Sequence, residues 1–180
     1  MTNIEMQLDP VDHITVDAIG KPGNRIFYLQ GKKGEEIVTL IIEKIQLQSL
    51  IIGIKDFLEE IGKQYQNLTD PSPDYEEEKM QITPPVDPLF RVGEMGLAYE
   101  ESTDKVCIIA KEILGDEKDN PHGEVRYWCS RSQLLSLANW SVVVVARGRP
   151  ICPQCQQPMD PEGHFCPKKN GHKKNKPIQS

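Results

Sequence analysis

Long hydrophobic runs are missing from this 180-residue chain. Its longest apolar runs, VTLII and VVVVA, are far shorter than the roughly 20 residues that a membrane-spanning helix needs. The amino-terminal stretch MTNIEMQLDPVDHITVDAIG carries acidic residues early and has no apolar core, so it lacks the pattern of a signal peptide. We therefore expect a cytoplasmic protein that does not enter a membrane.

The short motifs that identify common enzyme classes are also missing. The sequence has no Gly-x-x-x-x-Gly-Lys for phosphate, no Gly-x-Ser-x-Gly around a nucleophile and no His-Glu-x-x-His for a catalytic metal. His13 and His122 stand alone, which favours surface or strand histidines over catalysts. Cys107 and Cys129 fall in predicted strands, where we expect core thiols rather than nucleophiles. No catalytic residue is predicted.

Cysteine is scarce and unevenly placed. Three of the five cysteines and two of the four histidines lie in CPQCQQPMDPEGHFCPKKNGH, residues 152–172. An odd number of cysteines crowded at one end favours a reducing compartment and a metal over a disulfide framework. A Cys-x2-Cys turn places two thiolates on one edge of a zinc tetrahedron, and Cys152 and Cys155 supply that edge. Cys166 is the third predicted ligand.

The fourth predicted ligand is a histidine, and the segment offers two. His164 lies two residues before Cys166, a separation so short that we expect joint ligation of one ion to strain the chain. His172 lies six residues after Cys166, and Asn170-Gly171 can turn the chain back between them. We predict a Cys3His zinc site of Cys152, Cys155, Cys166 and His172, with His164 as the alternative ligand.

A structural role is predicted for this zinc. Four ligands within 21 residues can close the coordination sphere, whereas catalytic zinc keeps one position for water. The segment has little apolar material, so metal binding would supply its folding free energy. Glu162 can act as a general base only if His172 is not a ligand. We therefore predict one structural Zn²⁺ per chain, with a tail that binds no metal as the alternative.

Hydrophobic periodicity predicts two similar halves of three strands and a helix. In the first helix apolar residues recur at steps of three and four, and the strands are separated by turn residues. The predicted strands are 13–19, 25–30, 36–43, 90–101, 105–114 and 124–129. The predicted helices are 45–64 and 131–147. A capping box of Ser130 and Gln133 opens the second helix.

The two helix entries share residues at the same offsets. KIQLQSLIIGI (44–54) and RSQLLSLANWS (131–141) have Gln, Leu, Ser and Leu in register. We interpret this as an internal βββα duplication with halves of about 11–65 and 89–147, with chance similarity as the alternative.

The predicted fold class is α+β. A body over 1–147 contains two βββα-like halves that share one core, and residues 148–180 form a small zinc-ribbon- or knuckle-like tail. The acidic segment 66–88 holds five prolines, so it is predicted to connect the halves as a solvated loop, with an acidic docking segment as the alternative.

Charge is divided unevenly between the two parts. Residues 148–180 hold six Lys/Arg against two acids, a formal charge of +4. Because the whole chain has a formal charge of −6, the body has a formal charge of −10. Five lysines of the tail follow the third cysteine: Lys168, Lys169, Lys173, Lys174 and Lys176. Such a rim favours a protein partner or a nucleic-acid backbone, with a solubilising tail as the alternative. The oligomeric state is not predicted.

Three stretches, FYLQGKKGEE, VDPLFRVGEMGLAYEE and RGRPICPQCQQPMDPEGHFCPKKNGH, resemble a conserved bacterial family of unknown function. The resemblance covers most of the chain, and the last stretch is its most specific part. Members tend to be encoded beside a histidine-phosphatase-like phosphomutase and a phosphatidylinositol-kinase-like protein. The resemblance implies an intracellular setting with phosphate chemistry nearby, and it implies no activity. This chain departs from the family pattern in a longer polar loop at 115–123 and a lysine-rich end.

Two functions of different classes follow. The first is a non-enzymatic zinc-binding module that acts as an adaptor for a protein or nucleic-acid partner. The alternative is an enzyme or accessory subunit acting on a phosphorylated substrate, for which Arg91, Glu94, Arg126 and Arg131 are candidate lining residues. A deep pocket lined by the three arginines would favour this alternative.

Overall fold

The computed structural model of the protein describes residues 5–115, 122–148, 152–157, 159 and 165–168. The α+β class is confirmed, and each helix follows the three strands predicted before it, with a further short strand at the start of the chain. The strands are β1 Glu5–Leu8, β2 His13–Lys21, β3 Asn24–Lys33, β4 Glu36–Ile42, β5 Pro88–Glu100, β6 Lys105–Glu112 and β7 Glu124–Ser130. The helices are α1 Lys44–Gln64 and α2 Arg131–Arg147, with short 3-10 turns at Glu77–Met80 and Glu101–Thr103.

The strands form one mixed sheet in the order β1-β7-β6-β5-β4-β3-β2. Neighbours are antiparallel except for the parallel pairs β1–β7 and β4–β5. The chain itself joins the two ends of this order, because β1 leads directly into β2. In the connection, the Val11 amide donates to the Trp128 carbonyl at 2.8 Å and the Asp12 amide donates to the Lys32 carbonyl at 2.7 Å. The sheet therefore curls until β7 approaches β3.

The core lies inside this curl. A Cβ at Gly31 would lie 2.3 Å from Cδ1 of Tyr127, so β3 can approach the ring only with a glycine there. Tyr127 is fully buried and its hydroxyl donates to the Val38 carbonyl at 3.1 Å. One apolar cluster contains side chains from both halves, from Val16 and Leu50 to Leu137. The two halves therefore share one core, as predicted.

The helices follow the predicted bounds to within one residue. One stripe of α1 is buried and consists of Leu47, Leu50, Ile54, Leu58 and Ile61. In α2 the run Val142–Val145 favours a strand by residue type, yet the helix continues through it. Val144 and Val145 are buried there, and α2 packs against α1 and β2. Burial outweighs the small difference in intrinsic propensity.

Both helices begin with a capping box that is closed by a glutamine. Gln133 Oε1 accepts the Ser130 amide at 2.8 Å, as predicted, and the Ser130 hydroxyl accepts the Gln133 amide at 3.0 Å. The equivalent Gln46 Oε1 accepts the Glu43 amide at 2.8 Å. The box at the start of α1 was not predicted, because glutamate is not a usual first residue of the motif.

The segment after α1 is more than a solvated connector. Its Ser72 amide donates to the Ser132 hydroxyl at 2.9 Å, and the Ser136 hydroxyl donates to the Asp74 carbonyl at 2.8 Å. Met80 is buried and its carbonyl accepts a hydrogen bond from the Thr15 hydroxyl. The segment therefore crosses α2 and β2 and covers the groove between them.

Two predictions about strands need correction. The strand β1 was not predicted, because it is only four residues long and only Leu8 among them is buried. The strand β6 ends at Glu112 rather than at 114, and Ile113 and Leu114 are exposed. Among the described residues, no helix combines the length and apolarity that crossing a bilayer requires.

Candidate metal centre

The first two candidate ligands lie in a tight turn. The Cys152 amide donates to the Gln157 carbonyl at 2.9 Å, and the Gln156 amide donates to the Cys152 carbonyl at 2.9 Å. Gln156 has a φ of 61°, in the left-handed region that side chains other than glycine rarely adopt. The turn bends the chain so that Cys152 and Cys155 face the same point.

The turn and the segment around Cys166 bring three sulfur atoms together. The ligand atoms of Cys152, Cys155 and Cys166 all lie within 4.8 Å of one another. The Cys152 and Cys166 sulfurs are 3.8 Å apart. A tetrahedral ion with Zn–S bonds of about 2.3 Å separates its sulfurs by about 3.8 Å. All five cysteines are described and no disulfide joins any two of them, so the cluster fits a metal.

Burial also suits a metal centre. Cys152 and Cys166 are buried and Cys155 is partly exposed. Desolvation raises the pKa of the Cys155 thiol, and hydrogen bonds with the neighbouring thiols add to the rise. A divalent cation among the sulfurs reverses this effect, because coordinated thiols lose their protons.

The remaining ligand candidates lie outside the described residues. These are His172 and His164, and Glu162, the candidate general base, also lies outside the described residues. Among the basic residues of the tail, Lys168 is described and exposed, whereas Lys169, Lys173, Lys174 and Lys176 lie outside the described residues.

The two remaining cysteines belong to the core. Cys107 and Cys129 are fully buried in β6 and β7. Desolvation raises the pKa of Cys107 to about 11 and raises that of Cys129 further. A nucleophilic thiol needs the opposite shift, so the prediction of core thiols is confirmed.

The arginines proposed for a phosphate site are not brought together. Arg91, at the start of β5, pairs with Glu43, and Arg126 pairs with Glu124 of its own strand at 2.6 Å. Arg131 opens α2 beyond the far end of β5, where its Nε donates to Asp104 at 2.7 Å. Each guanidinium is thus engaged by a different carboxylate, and the three do not line a common pocket in the described part of the chain.

Two features of the body were missed by the sequence reasoning. One is the buried Arg131 guanidinium, which binds Asp104 in a turn 27 residues earlier. The other is a groove between α1 and β5 with a cavity volume of about 470 Å³. The sequence carried one sign of it: when the two helix entries are aligned, Gly53 takes the position of Trp140.

Comparison with known proteins gives a family and no further relative. The model of a family described as "Protein of unknown function (DUF3090)" matches residues 6–166, which is most of the chain. The match includes all three clustered cysteines. No curated protein and no solved structure matches the chain.

Proposed function

The chain belongs to this family of proteins of unknown function, and from that premise we propose that it is a zinc-binding adaptor without enzymatic activity of its own. The observation that carries the proposal is the cluster of three sulfur atoms within 4.8 Å of one another. Thiolates are soft ligands that select zinc among the common divalent metals of a tetrahedral site. A sulfur spacing of 3.8 Å supports the same ion.

A closed Cys3His sphere is proposed for this zinc. The three thiolates leave one position, and His172 fills it, with His164 as the alternative. A histidine there excludes the water that a catalytic zinc needs, so the ion acts by ordering the tail. The segment has few apolar side chains, and Phe165 beside the cluster is exposed, so little else can hold it together.

The ordered tail is proposed to present a basic surface to its partner. Lys168 lies two residues after Cys166 and is exposed, which supports this arrangement. The lysines that follow extend the positive charge, and the body carries the opposite charge. A protein or nucleic acid with an anionic surface is the partner class, in the cytoplasm, with one zinc per chain.

Metal analysis of matched variants tests the proposal. Full-length protein purified without added metal should contain about one equivalent of zinc. Cys152→Ser should lose it, whereas Cys107→Ser, which alters a core thiol away from the cluster, should keep it. His172→Ala and His164→Ala, compared side by side, identify the fourth ligand by which of them loses zinc.

The same variants separate a structural from a catalytic ion. Loss of zinc should leave the melting temperature of the body nearly unchanged, because the body core contains no ligand. Protein without zinc after reduction would refute the proposal. So would an activity that disappears with zinc while the tail keeps its order around a different metal.

A further inference from the structure

The groove between α1 and β5 corresponds to a groove between α2 and β2 that the chain fills itself. The correspondence rests on the capping glutamines. Gln133 Nε2 donates to the Val11 carbonyl at 3.1 Å, and Gln46 Nε2 donates to the Val92 carbonyl at 3.0 Å. Each helix is therefore bound through its capping glutamine to the other half, α2 to the connection that leads into β2 and α1 to β5.

The groove of α2 and β2 is filled by two aromatic rings and a length of chain. Trp140 Nε1 donates to the Val16 carbonyl on the outer edge of β2 at 2.7 Å, and the Trp140 side chain is fully buried. Tyr75, from the segment after α1, stands edge-on to the indole with ring centroids 5.7 Å apart. The Ser136 hydroxyl holds that segment through the Asp74 carbonyl at 2.8 Å.

Among the described residues, none plays the part of these fillers in the groove of α1 and β5. At the position of Trp140, α1 has Gly53, where a Cβ would meet nothing within 4 Å. At the position of Ser136, α1 has Ser49, whose side chain is exposed in the groove. The capping glutamines bind the carbonyls of Val92 and Val11, so these two residues correspond. By the same offset along the chain, Leu97 corresponds to Val16. The groove of α1 and β5 thus has room for an indole ring at Gly53 and an exposed hydroxyl at Ser49. No described segment occupies it in the way that the segment after α1 occupies the groove of α2 and β2.

The strand that borders this groove also has an unpaired edge. β5 pairs with β4 only at Pro88 and Arg91, whereas it pairs with β6 from Val92 to Glu100. Beyond Arg91, no described strand lies on the other side of β5. An exposed edge with backbone donors and acceptors is a template for an extended peptide.

Charge around the groove selects the peptide further. Asp56 and Glu60 line one wall, and both are exposed on α1. The floor is apolar, with Leu50, Phe57, Met95 and Leu97. A basic side chain next to an aromatic one would satisfy both the carboxylates and the floor.

We propose that this α1–β5 groove binds an extended segment of a partner protein, with an aromatic side chain over Gly53 and a neighbouring Lys or Arg beside Asp56 and Glu60. The Ser49 hydroxyl donates to a peptide carbonyl, as Ser136 does in the filled groove. The groove lies on the body and includes no residue of the metal centre, so we expect peptide binding there to be independent of zinc.

Titration of the full-length, isotope-labelled protein tests the groove by NMR. The probe is the capped synthetic peptide KTWKTK, and the controls are KTAKTK and ETWETE. We expect saturable shifts at the amides of Ser49, Gly53 and Gly96, and an affinity at least about tenfold weaker for either control. Gly53→Trp should abolish binding, because the indole fills the space that the peptide ring needs.

A second variant covers the case in which Gly53→Trp does not fold. The double variant Asp56→Lys and Glu60→Lys changes exposed residues only, and it should prefer ETWETE over KTWKTK. Cys152→Ser protein should bind KTWKTK as the wild type does. The proposal would be overturned if the groove amides do not shift or if KTAKTK binds as tightly as KTWKTK. It would also be overturned if the groove amides shift with protein concentration alone, because a second copy of the chain would then be the occupant.

Discussion

The residue with the most informative surroundings is Asp104, in the turn between β5 and β6. It has a φ of 48° and accepts three hydrogen bonds: from Tyr99 at 2.8 Å and from Arg131 at 2.7 and 3.0 Å. Arg131 also donates to the Thr69 carbonyl at 2.8 Å. One carboxylate thus links the hairpin of the second half to the first turn of α2 and to the segment after α1. The hydrogen bonds from Arg131 lower the pKa of Asp104, whereas desolvation raises that of Tyr99 to about 12.

Asp104→Asn isolates the charge of this carboxylate, because asparagine tolerates the left-handed conformation. At pH 7 we expect a loss of unfolding free energy on the order of 1–2 kcal/mol, since the Asp104 side chain is partly exposed and its ion pair partly screened. The folded-state pKa lies below the unfolded value of about 3.9, so the contribution is present above that pH and is lost as pH falls through the folded pKa. Urea denaturation of both proteins at pH 7 and near pH 2.5 measures it. A difference that stays constant on acidification would contradict the role of the charge.

At the scale of elements, the capping glutamines do more than start the helices. Each accepts the N-cap amide through Oε1 and donates through Nε2 to a carbonyl of the other half, Val92 in β5 for Gln46 and Val11 just before β2 for Gln133. The sequence predicts one of the two boxes from residue types three positions apart. It does not predict the bonds to Val11 and Val92, because these residues are distant in sequence and only the curl of the sheet brings them near.

Gln133→Glu separates the two roles. The glutamate retains an oxygen for the Ser130 amide, but its other oxygen faces the Val11 carbonyl, to which Nε2 donated. We expect a loss of about 1–3 kcal/mol in unfolding free energy, as for a polar group left without its partner. Chemical denaturation at pH 7 measures the loss. As a matched control, Gln48→Glu on the exposed face of α1 should cost little, and equal costs at the two sites would contradict the bridging role.

At the scale of the whole molecule, residue composition, turn residues, one helical stripe and one capping box were enough to predict the α+β class, both helices and six of the seven strands. The closure by β1 was beyond such patterns, because a strand of four residues is too short for its alternation to stand out from the sequence around it. The clustering of the three cysteines was predictable, since a Cys-x2-Cys turn followed by a third cysteine is a spacing that suits metal ligands. The α1–β5 groove was missed, because the alignment of Gly53 with Trp140 shows that a side chain is lacking and does not show whether another segment fills the space.

One shared core makes the body a single cooperative unit. Leu50 and Leu137 occupy matching positions in α1 and α2, and both are buried in the same apolar cluster. Replacing either with alanine should cost roughly 2–5 kcal/mol and lower the same thermal transition. Calorimetry of both variants checks this. Two transitions, each sensitive to one substitution only, would mean that the halves fold separately.

X-ray absorption spectroscopy at the zinc edge tests the metal centre most directly, on full-length protein purified without added metal. We predict three sulfur ligands at about 2.3 Å and one nitrogen at about 2.0–2.1 Å, the sphere of a closed Cys3His site. A spectrum with three sulfurs and a water oxygen, or protein that contains no zinc, would contradict a structural ion that orders the tail.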